Sequence, residues 1–418
     1  MRTASFIVGA LLSFTTLFAQ SPANPTASGK FDPALAPAID RGLQRYVDRD
    51  RVPGIVALVL QDGEVVYEKA FGWSDREGGR RMTTDTIFRI ASQTKALTSV
   101  AVMRMIEDGS LALSTRASEY IPTFANTKVA VANERGIVSQ VPARRAITIR
   151  DLLTHTAGIS YGTDPSVADL YEAKGLGPAA GFGWYTADKD EGVCDSMERL
   201  GTLPFVAQPG AAWVYGYNTD ILGCIVEKVS GLPLDAYIRD NITTPLGMKD
   251  TQFFLPAAQK DRLAAVYASA EGKYVRAPNG ARGQGAYIDG PRRNFAGGAG
   301  LLSTARDYAR FLEAMRRGGT IDGVRLLSPR SVQLMSTNQV GDLHSTTGLG
   351  WGLGFETVDR FGANVMSSAG AFGWGGAYGS LYRVDPEARL VMVLMIQLIP
   401  NATDIREVFP SLVYQALR

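Results

Sequence analysis

Phe88-Arg89-Ile90-Ala91-Ser92-Gln93-Thr94-Lys95, running on into Ala96-Leu97-Thr98-Ser99-Val100-Ala101-Val102-Met103-Arg104-Met105-Ile106-Glu107, is the stretch on which the fold and the chemistry turn. Thr94 to Glu107 has helical periodicity, and Gly109 follows as a C-terminal stop. Ser92 and Lys95 are three residues apart, which puts them one above the other on the same helical face. A serine hydroxyl is a poor nucleophile until a base takes its proton. A lysine serves as that base only where burial or a neighbouring cation keeps it neutral. The positive end of the helix dipole beside Ser92 suits a developing oxyanion. The same S-x-x-K spacing also describes an ordinary N-cap serine with a solvated lysine. Here the helix is apolar, and its buried start is a costly place for an idle lysine.

Outward from this helix, the pattern alternates at both ends of the chain. Ile55–Leu60 and Val65–Ala70 flank Asp62-Gly63, a dipeptide that supplies the positive φ of a type I′ hairpin turn. Ala377–Val384 and Leu390–Leu398 flank a turn at Asp385-Pro386-Glu387. Amphipathic helices are predicted over Ala34–Arg49 and Asp404–Leu417, a short one over Ile147–His155, another from Asp220 to Val229 stopping at Gly231, and one capped by Ser303. Thr163–Gln208, with Phe182 and Trp184, reads as an irregular wall, and Gly272–Gly300 as a long loop with eight glycines. The fold class is therefore α+β: one antiparallel sheet from the N- and C-terminal parts, flanked by helices, with a mostly helical lobe inserted from about 110 to 290.

The chain has 418 residues, which at roughly 150 per domain allows two or three domains or one two-lobed domain. Its 43 Lys+Arg against 41 Asp+Glu leave no electrostatic case for nucleic acid or an anionic membrane as partner. Two histidines and two cysteines cannot build a multi-histidine metal site, a zinc knuckle or an iron–sulfur cluster, and no metal or cofactor is implied. Arg2, then the apolar 14-residue stretch Phe6–Ala19, reads as a secretory signal peptide over residues 1–20, with an uncleaved anchor as the alternative. Residues 21–34 read as a flexible start and 35–418 as the folded unit, its lobes being 35–110 with 290–418, and 110–290. The localisation expected is periplasmic or secreted. Cys194 and Cys224 are expected to be two buried free thiols, although an oxidising compartment would allow them to pair. The sequence leaves the oligomeric state open.

Two further motifs carry chemistry. Trp213-Val214-Tyr215-Gly216-Tyr217-Asn218 precedes a helix, so Tyr215 can reach Ser92 and Lys95 as an acid–base partner. Phe372-Gly373-Trp374-Gly375-Gly376-Ala377-Tyr378-Gly379 has four glycines in seven residues and leads into a strand, which suggests close backbone approach to a ligand and a second oxyanion donor. Gly158-Ile159-Ser160-Tyr161-Gly162 matches G-x-S-x-G but follows a helix and enters a loop, whereas the hydrolase elbow needs strand, turn and helix. His155 reads as a structural, hydrogen-bonded histidine.

Taken in chain order, these motifs resemble the serine β-lactamase / penicillin-binding-protein superfamily and, within it, the family VIII carboxylesterases related to class C β-lactamases. The resemblance runs over nearly all of residues 35 to 415. Besides Phe88–Lys95 it includes Leu152–Gly158, Gln208-Pro209-Gly210, Leu222-Gly223, Glu227 to Gly231, Pro245–Met248 and Gly297–Asp307. It implies Ser92 as the acylated nucleophile, Lys95 as base or proton relay, Tyr215 as proton shuttle, and the backbone N–H groups of Ser92 and Ala377 as the oxyanion hole. Trp374, Gly375, Gly376, Tyr217 and Asn218 would contact substrate. The superfamily's K-T-G has Trp374 in place of the lysine, and its Y-x-N has Tyr217 where asparagine is expected, with Asn218 one residue later. Both departures favour small uncharged esters over β-lactams. β-Lactamase, D-aminopeptidase or acyltransferase chemistry on the same serine is the alternative, and a non-catalytic sensor is a second.

Overall fold

The computed structural model of the chain describes residues 29–134, 136–177, 186–270, 273–280 and 283–418. The expected signal peptide, most of the expected flexible start, and Phe182 and Trp184 lie outside the described residues. The described part of that start is tied down: Lys30 and Arg418 exchange backbone hydrogen bonds at 2.7 and 2.9 Å, and Phe31 is buried.

An eight-stranded antiparallel sheet forms the larger lobe. Its strands are β1 (Gly54–Gln61), β2 (Glu64–Asp75), β3 (Arg80–Arg81), β4 (Leu349–Trp351), β5 (Glu356–Val358), β6 (Phe372–Gly375), β7 (Leu381–Asp385) and β8 (Leu390–Met395), in the spatial order β4-β5-β6-β7-β8-β1-β2-β3. The N- and C-terminal parts meet where β1 pairs with β8, with Val56 opposite Met395 and Leu60 opposite Val391. Both strands are apolar on both faces, as central strands covered on two sides must be. Ile55, Ala57 and Val59 join Leu390, Met392 and Leu394 under helices α1 (Ala36–Asp48) and α6 (Ile405–Gln415). Val56, Leu58 and Leu60 join Val391 and Val393 on the opposite face, against α2 (Thr94–Glu107) and α5 (Ala305–Arg316). The β1–β2 hairpin turns at Asp62 and Gly63, with φ of 54° and 88°.

α2 is buried almost all round, from Thr94 through Met103, and runs between the sheet and the second lobe. A helix with no polar face is stable only in such a position. The second lobe contains α3 (Ile149–Leu153) and α4 (Asn218–Ser230), with Gly231 in the left-handed conformation ending α4.

Several expectations need correction. Thr163–Gln208 is not wholly irregular: helices Ala168–Ala173 and Val193–Leu200 lie within it. Lys273–Arg276, inside the expected glycine-rich loop, pairs with Tyr267–Ala270, and the helical lobe also carries a hairpin of Lys128–Ala132 with Val138–Pro142. Thr304, not Ser303, caps α5, because its side chain accepts the Asp307 N–H. The first half of the third motif, Phe372–Gly375, is itself strand β6, the rest is a turn, and β7 starts only at Leu381. Cys194 and Cys224 form a disulfide. Helix Val193–Leu200 packs against α4 and brings the two Cα atoms to 4.9 Å, a proximity that a spacing of 30 residues does not reveal.

Candidate active site

Ser92 lies in the tight turn Ala91–Gln93 that feeds α2. Ala91 has φ of 45°, an unfavourable backbone for a residue with a Cβ, and such strain persists only where the surroundings hold it. Lys95 is 1% exposed. Its Nζ donates to Ser92 Oγ at 3.2 Å, to Tyr161 OH at 3.0 Å and to the Gly298 carbonyl at 2.7 Å. Three acceptors surround the amine and none is a carboxylate. A carboxyl lies one residue further on. Asp220, on the first turn of α4, accepts the Gly298 N–H at 3.0 Å while Gly298 O takes the lysine. Burial pushes the Asp220 carboxyl above its ordinary range, and Lys95 and the Gly298 N–H oppose that push. A Cβ at Gly298 would collide with Asp220, so this close packing needs glycine.

Tyr161 is the residue that sequence reasoning missed. It adjoins Ser160, which drew the attention in G-x-S-x-G. Burial first, and then Tyr215 and Asp220, hold its phenol well above the usual range, so it is a neutral hydroxyl against Lys95. Ser160 is buried and accepts the Gly162 N–H at 3.1 Å, and neither histidine reaches it by hydrogen bond among the described residues.

Tyr215 approaches Lys95 with its ring, 4.7 Å from Nζ to the centroid, and its hydroxyl accepts Trp374 Nε1–H at 3.0 Å. Trp213 stacks on Tyr215 at 5.7 Å, and Trp374 stands edge-on over the buried Trp351 at 4.7 Å. His344 lies 4.4 Å from Trp213, ring to ring, and reaches Glu356 at 3.4 Å. The loop carrying Tyr215 is fixed from behind by the segment after α3. Val214 N–H donates to the His155 carbonyl at 2.8 Å, and Gly216 lies so close to Ile159 O that no Cβ fits.

Tyr217 and Asn218, expected as substrate contacts, are both buried; the Tyr217 hydroxyl and the Asn218 N–H groups are engaged, while Asn218 Oδ1 has no hydrogen-bond partner among the described residues. Tyr217 OH donates to Leu176 O at 2.9 Å. The Asn218 amide donates to His155 Nδ1 at 2.9 Å and to Val214 O at 3.2 Å. They brace the loop rather than face a ligand. His155 is a buried structural histidine at φ 57°, kept neutral by burial and by the nearby charges of Lys95 and His344.

Gly375 and Gly376 end β6 and begin the turn to β7. A Cβ on Gly376 would meet Ile90 O at 2.6 Å, so the turn is pressed against the segment just before Ser92. Ala377 and Ala91 share one small apolar cluster, and the Ala377 N–H has no hydrogen-bond partner among the described residues. The arrangement offers a serine hydroxyl on a buried amine, a neighbouring phenol, a free N–H and an aromatic wall. That set suits acyl transfer.

Comparison with known proteins agrees. The family model described as Beta-lactamase matches residues 39–410. A protein of Mycobacterium tuberculosis is 35% identical over 379 residues, covering 86% of this chain and 89% of the relative. Esterase EstB of Burkholderia gladioli is 32% identical over 387 residues, covering 89% and 93%. The solved structure of EstCE1, a hydrolase with promiscuous acyltransferase activity, superposes with a TM-score of 0.75 at 27% identity, over 92% of this chain and 98% of that one. The chain belongs to the beta-lactamase family.

Proposed function

We propose that this protein is a serine hydrolase that cleaves short-chain, uncharged carboxylic esters through an acyl-enzyme on Ser92, within one catalytic unit spanning residues 35–418. The observation that carries the reading is the buried Lys95 amine on Ser92 Oγ beside a half-buried aromatic wall in which Trp374 stands where a cation would be expected. Ser92 Oγ attacks the ester carbonyl carbon and its proton passes to the Lys95 amine. The Ser92 and Ala377 N–H groups hold the oxyanion. The carbon–oxygen bond of the ester breaks, and the alcohol leaves with a proton relayed by Lys95 and Tyr215. Water then attacks the acyl-serine by the reverse proton route and releases the acid. Trp374, Gly375 and Gly376 line the approach of the substrate. EstB and EstCE1, similar over nearly the whole chain, support the ester class.

The test is hydrolysis of p-nitrophenyl acetate and butyrate by the wild type, Ser92→Ala and Ser160→Ala. Ser92→Ala is expected to lose turnover and Ser160→Ala to keep it; activity surviving in Ser92→Ala would remove the nucleophile assignment. A second reading is transfer of the acyl group to an alcohol, which the acyltransferase activity of EstCE1 favours. Ester formation with an added short alcohol separates it from hydrolysis, and nitrocefin turnover separates both from β-lactam chemistry. We also propose export to the periplasm or medium through residues 1–20. The Cys194–Cys224 disulfide fits an oxidising compartment. Mass spectrometry of the secreted chain tests this: an N-terminus still at Met1 would overturn it.

A further inference from the structure

The Ala377 N–H belongs to the peptide that joins Gly376 to Ala377. The oxygen of that peptide, Gly376 O, accepts Arg406 Nη2–H at 2.6 Å and the Gly379 N–H at 3.1 Å. Arg406 Nε–H also donates to Gly379 O at 3.2 Å. Arg406 is the second residue of α6. Its side chain as a whole is exposed, but its guanidinium turns onto a turn whose Gly376 and Gly379 are buried. No carboxylate pairs with it among the described residues, and burial of the group lowers its pKa. The contacts of this cation are thus the two carbonyls of the turn that carries Ala377.

In a trans peptide the C=O and N–H point in opposite directions. Donors at the oxygen therefore leave the N–H aimed the other way, and they draw charge from it, which makes it a stronger donor. The turn is rigid on its other sides, since Gly376 N–H donates to Ser380 O at 3.0 Å and Gly376 abuts Ile90 O. We infer that Arg406 is a positioning residue of the oxyanion site: it fixes and polarises the 376–377 peptide so that the Ala377 N–H binds the negative oxygen formed when Ser92 is acylated. Arg406 touches neither Ser92 nor substrate in this role, and the inference rests on the Ser92 and Ala377 assignments proposed above. Negative charge appears on that oxygen only in the transition state and the tetrahedral intermediate, so the effect falls on kcat and leaves KM alone.

Arg406→Met and Arg406→Lys in the full chain test this, with kcat and KM on p-nitrophenyl butyrate, the rate and end-point of fluorophosphonate labelling, the affinity for an alkylboronic acid, and Tm. In Arg406→Met, kcat is expected to fall about 30-fold or more with KM within about threefold, approaching the roughly 100- to 1,000-fold that outright loss of one oxyanion donor costs. Labelling should slow by a similar factor yet still reach one label per chain, and boronate affinity should fall with kcat/KM. Arg406→Lys, which keeps a cation, should recover part of kcat. A folded Arg406→Met with kcat within threefold of wild type overturns the inference, as does a kcat loss matched by a lower labelling end-point, since that reports only less folded protein. If Arg406→Met does not fold, Arg406→Lys decides: lower kcat and boronate affinity at unchanged KM support the role, and wild-type values overturn it. Turnover or labelling that survives in Ser92→Ala breaks the parent reading instead, whatever the Arg406 variants do.

Discussion

The two sides of Ser92 are built from different material. On one side, Lys95, Tyr161, Gly298 and Asp220 form a buried polar floor joined by hydrogen bonds of 2.7 to 3.0 Å. On the other, Trp213, Tyr215 and Trp374 form a half-buried aromatic wall, held by ring contacts and a single hydrogen bond from Trp374 to Tyr215. Charge in the floor is screened little, so small changes there act on the barrier of the reaction. Contacts in the wall are numerous and individually weak, so changes there act on reach and orientation. The floor should therefore answer in kcat, and the wall more mildly.

The sharpest way to break this contrast is Lys95→Met, which removes the amine and keeps an unbranched stem. A loss of about 1,000-fold or more in kcat/KM is expected, within the span of losing both base and nucleophile activation. A loss below tenfold would mean that Lys95 is not the base. Next comes the comparison of two tyrosines. Tyr215→Phe should cost about 100-fold in kcat if it relays the leaving-group proton. Tyr161→Phe should cost about tenfold, the value of one hydrogen bond to a charged group. Equal and large losses would move Tyr161 into the proton route, and a reversed order would exchange the two roles.

A third test concerns what lies behind both sides. His155 packs 4.8 Å from the Tyr215 ring, and burial, then Lys95 and His344, depress its pKa well below the ordinary value. The folded chain therefore binds fewer protons than the unfolded chain below about pH 6.5, and unfolding takes one up. That contribution to stability is complete above about pH 6.5 and is lost as pH falls below it, by up to about 1.4 kcal/mol per unit until the folded pKa is reached. Thermal unfolding from pH 7.5 to 5 should show Tm falling on the acid side. His155→Asn, which tolerates positive φ, should flatten that slope. A wild-type Tm that is level across this window would contradict a neutral buried imidazole.

The sheet and the wall were legible because their residues announce themselves locally. Leu390–Met395 is a continuous apolar run, Asp62-Gly63 marks the hairpin of β1 and β2, and Trp213–Asn218 and Phe372–Gly379 are aromatic or glycine clusters beside elements. The α2 limits, Thr94 and Glu107, agree with the periodicity. The floor was half hidden. Tyr161 sits in a segment with no periodicity, and it reaches Lys95 only because residues 155–160 lie under the loop of Val214 and Gly216. Asp220 in the first turn of a helix reads as an ordinary response to the dipole, and nothing local ties it to Gly298, 78 residues on. Tyr217 and Asn218 misled for the opposite reason. A polar residue next to a catalytic candidate suggests a ligand contact, but the bend after Tyr215 turns both inward, onto Leu176 and His155.

The smallest effect is the most discriminating for the wall. Trp374 has two roles to separate: the proposed one, its face bordering the approach to Ser92, and its Nε1–H bond to the Tyr215 hydroxyl at 3.0 Å. Trp374→Phe keeps an aromatic face and deletes the donor. Loss of one neutral hydrogen bond is worth about 1 kcal/mol, or roughly fivefold. If the bond matters, kcat for p-nitrophenyl butyrate should fall by about that factor with KM unchanged, because Tyr215 loses its fixed orientation. If only the face matters, Phe should be silent, and Trp374→Ala should raise KM several-fold and leave kcat nearly unchanged. A loss above about 50-fold in Trp374→Phe would place this residue with the floor, and the division of Ser92's surroundings into a reactive side and a guiding side would fail.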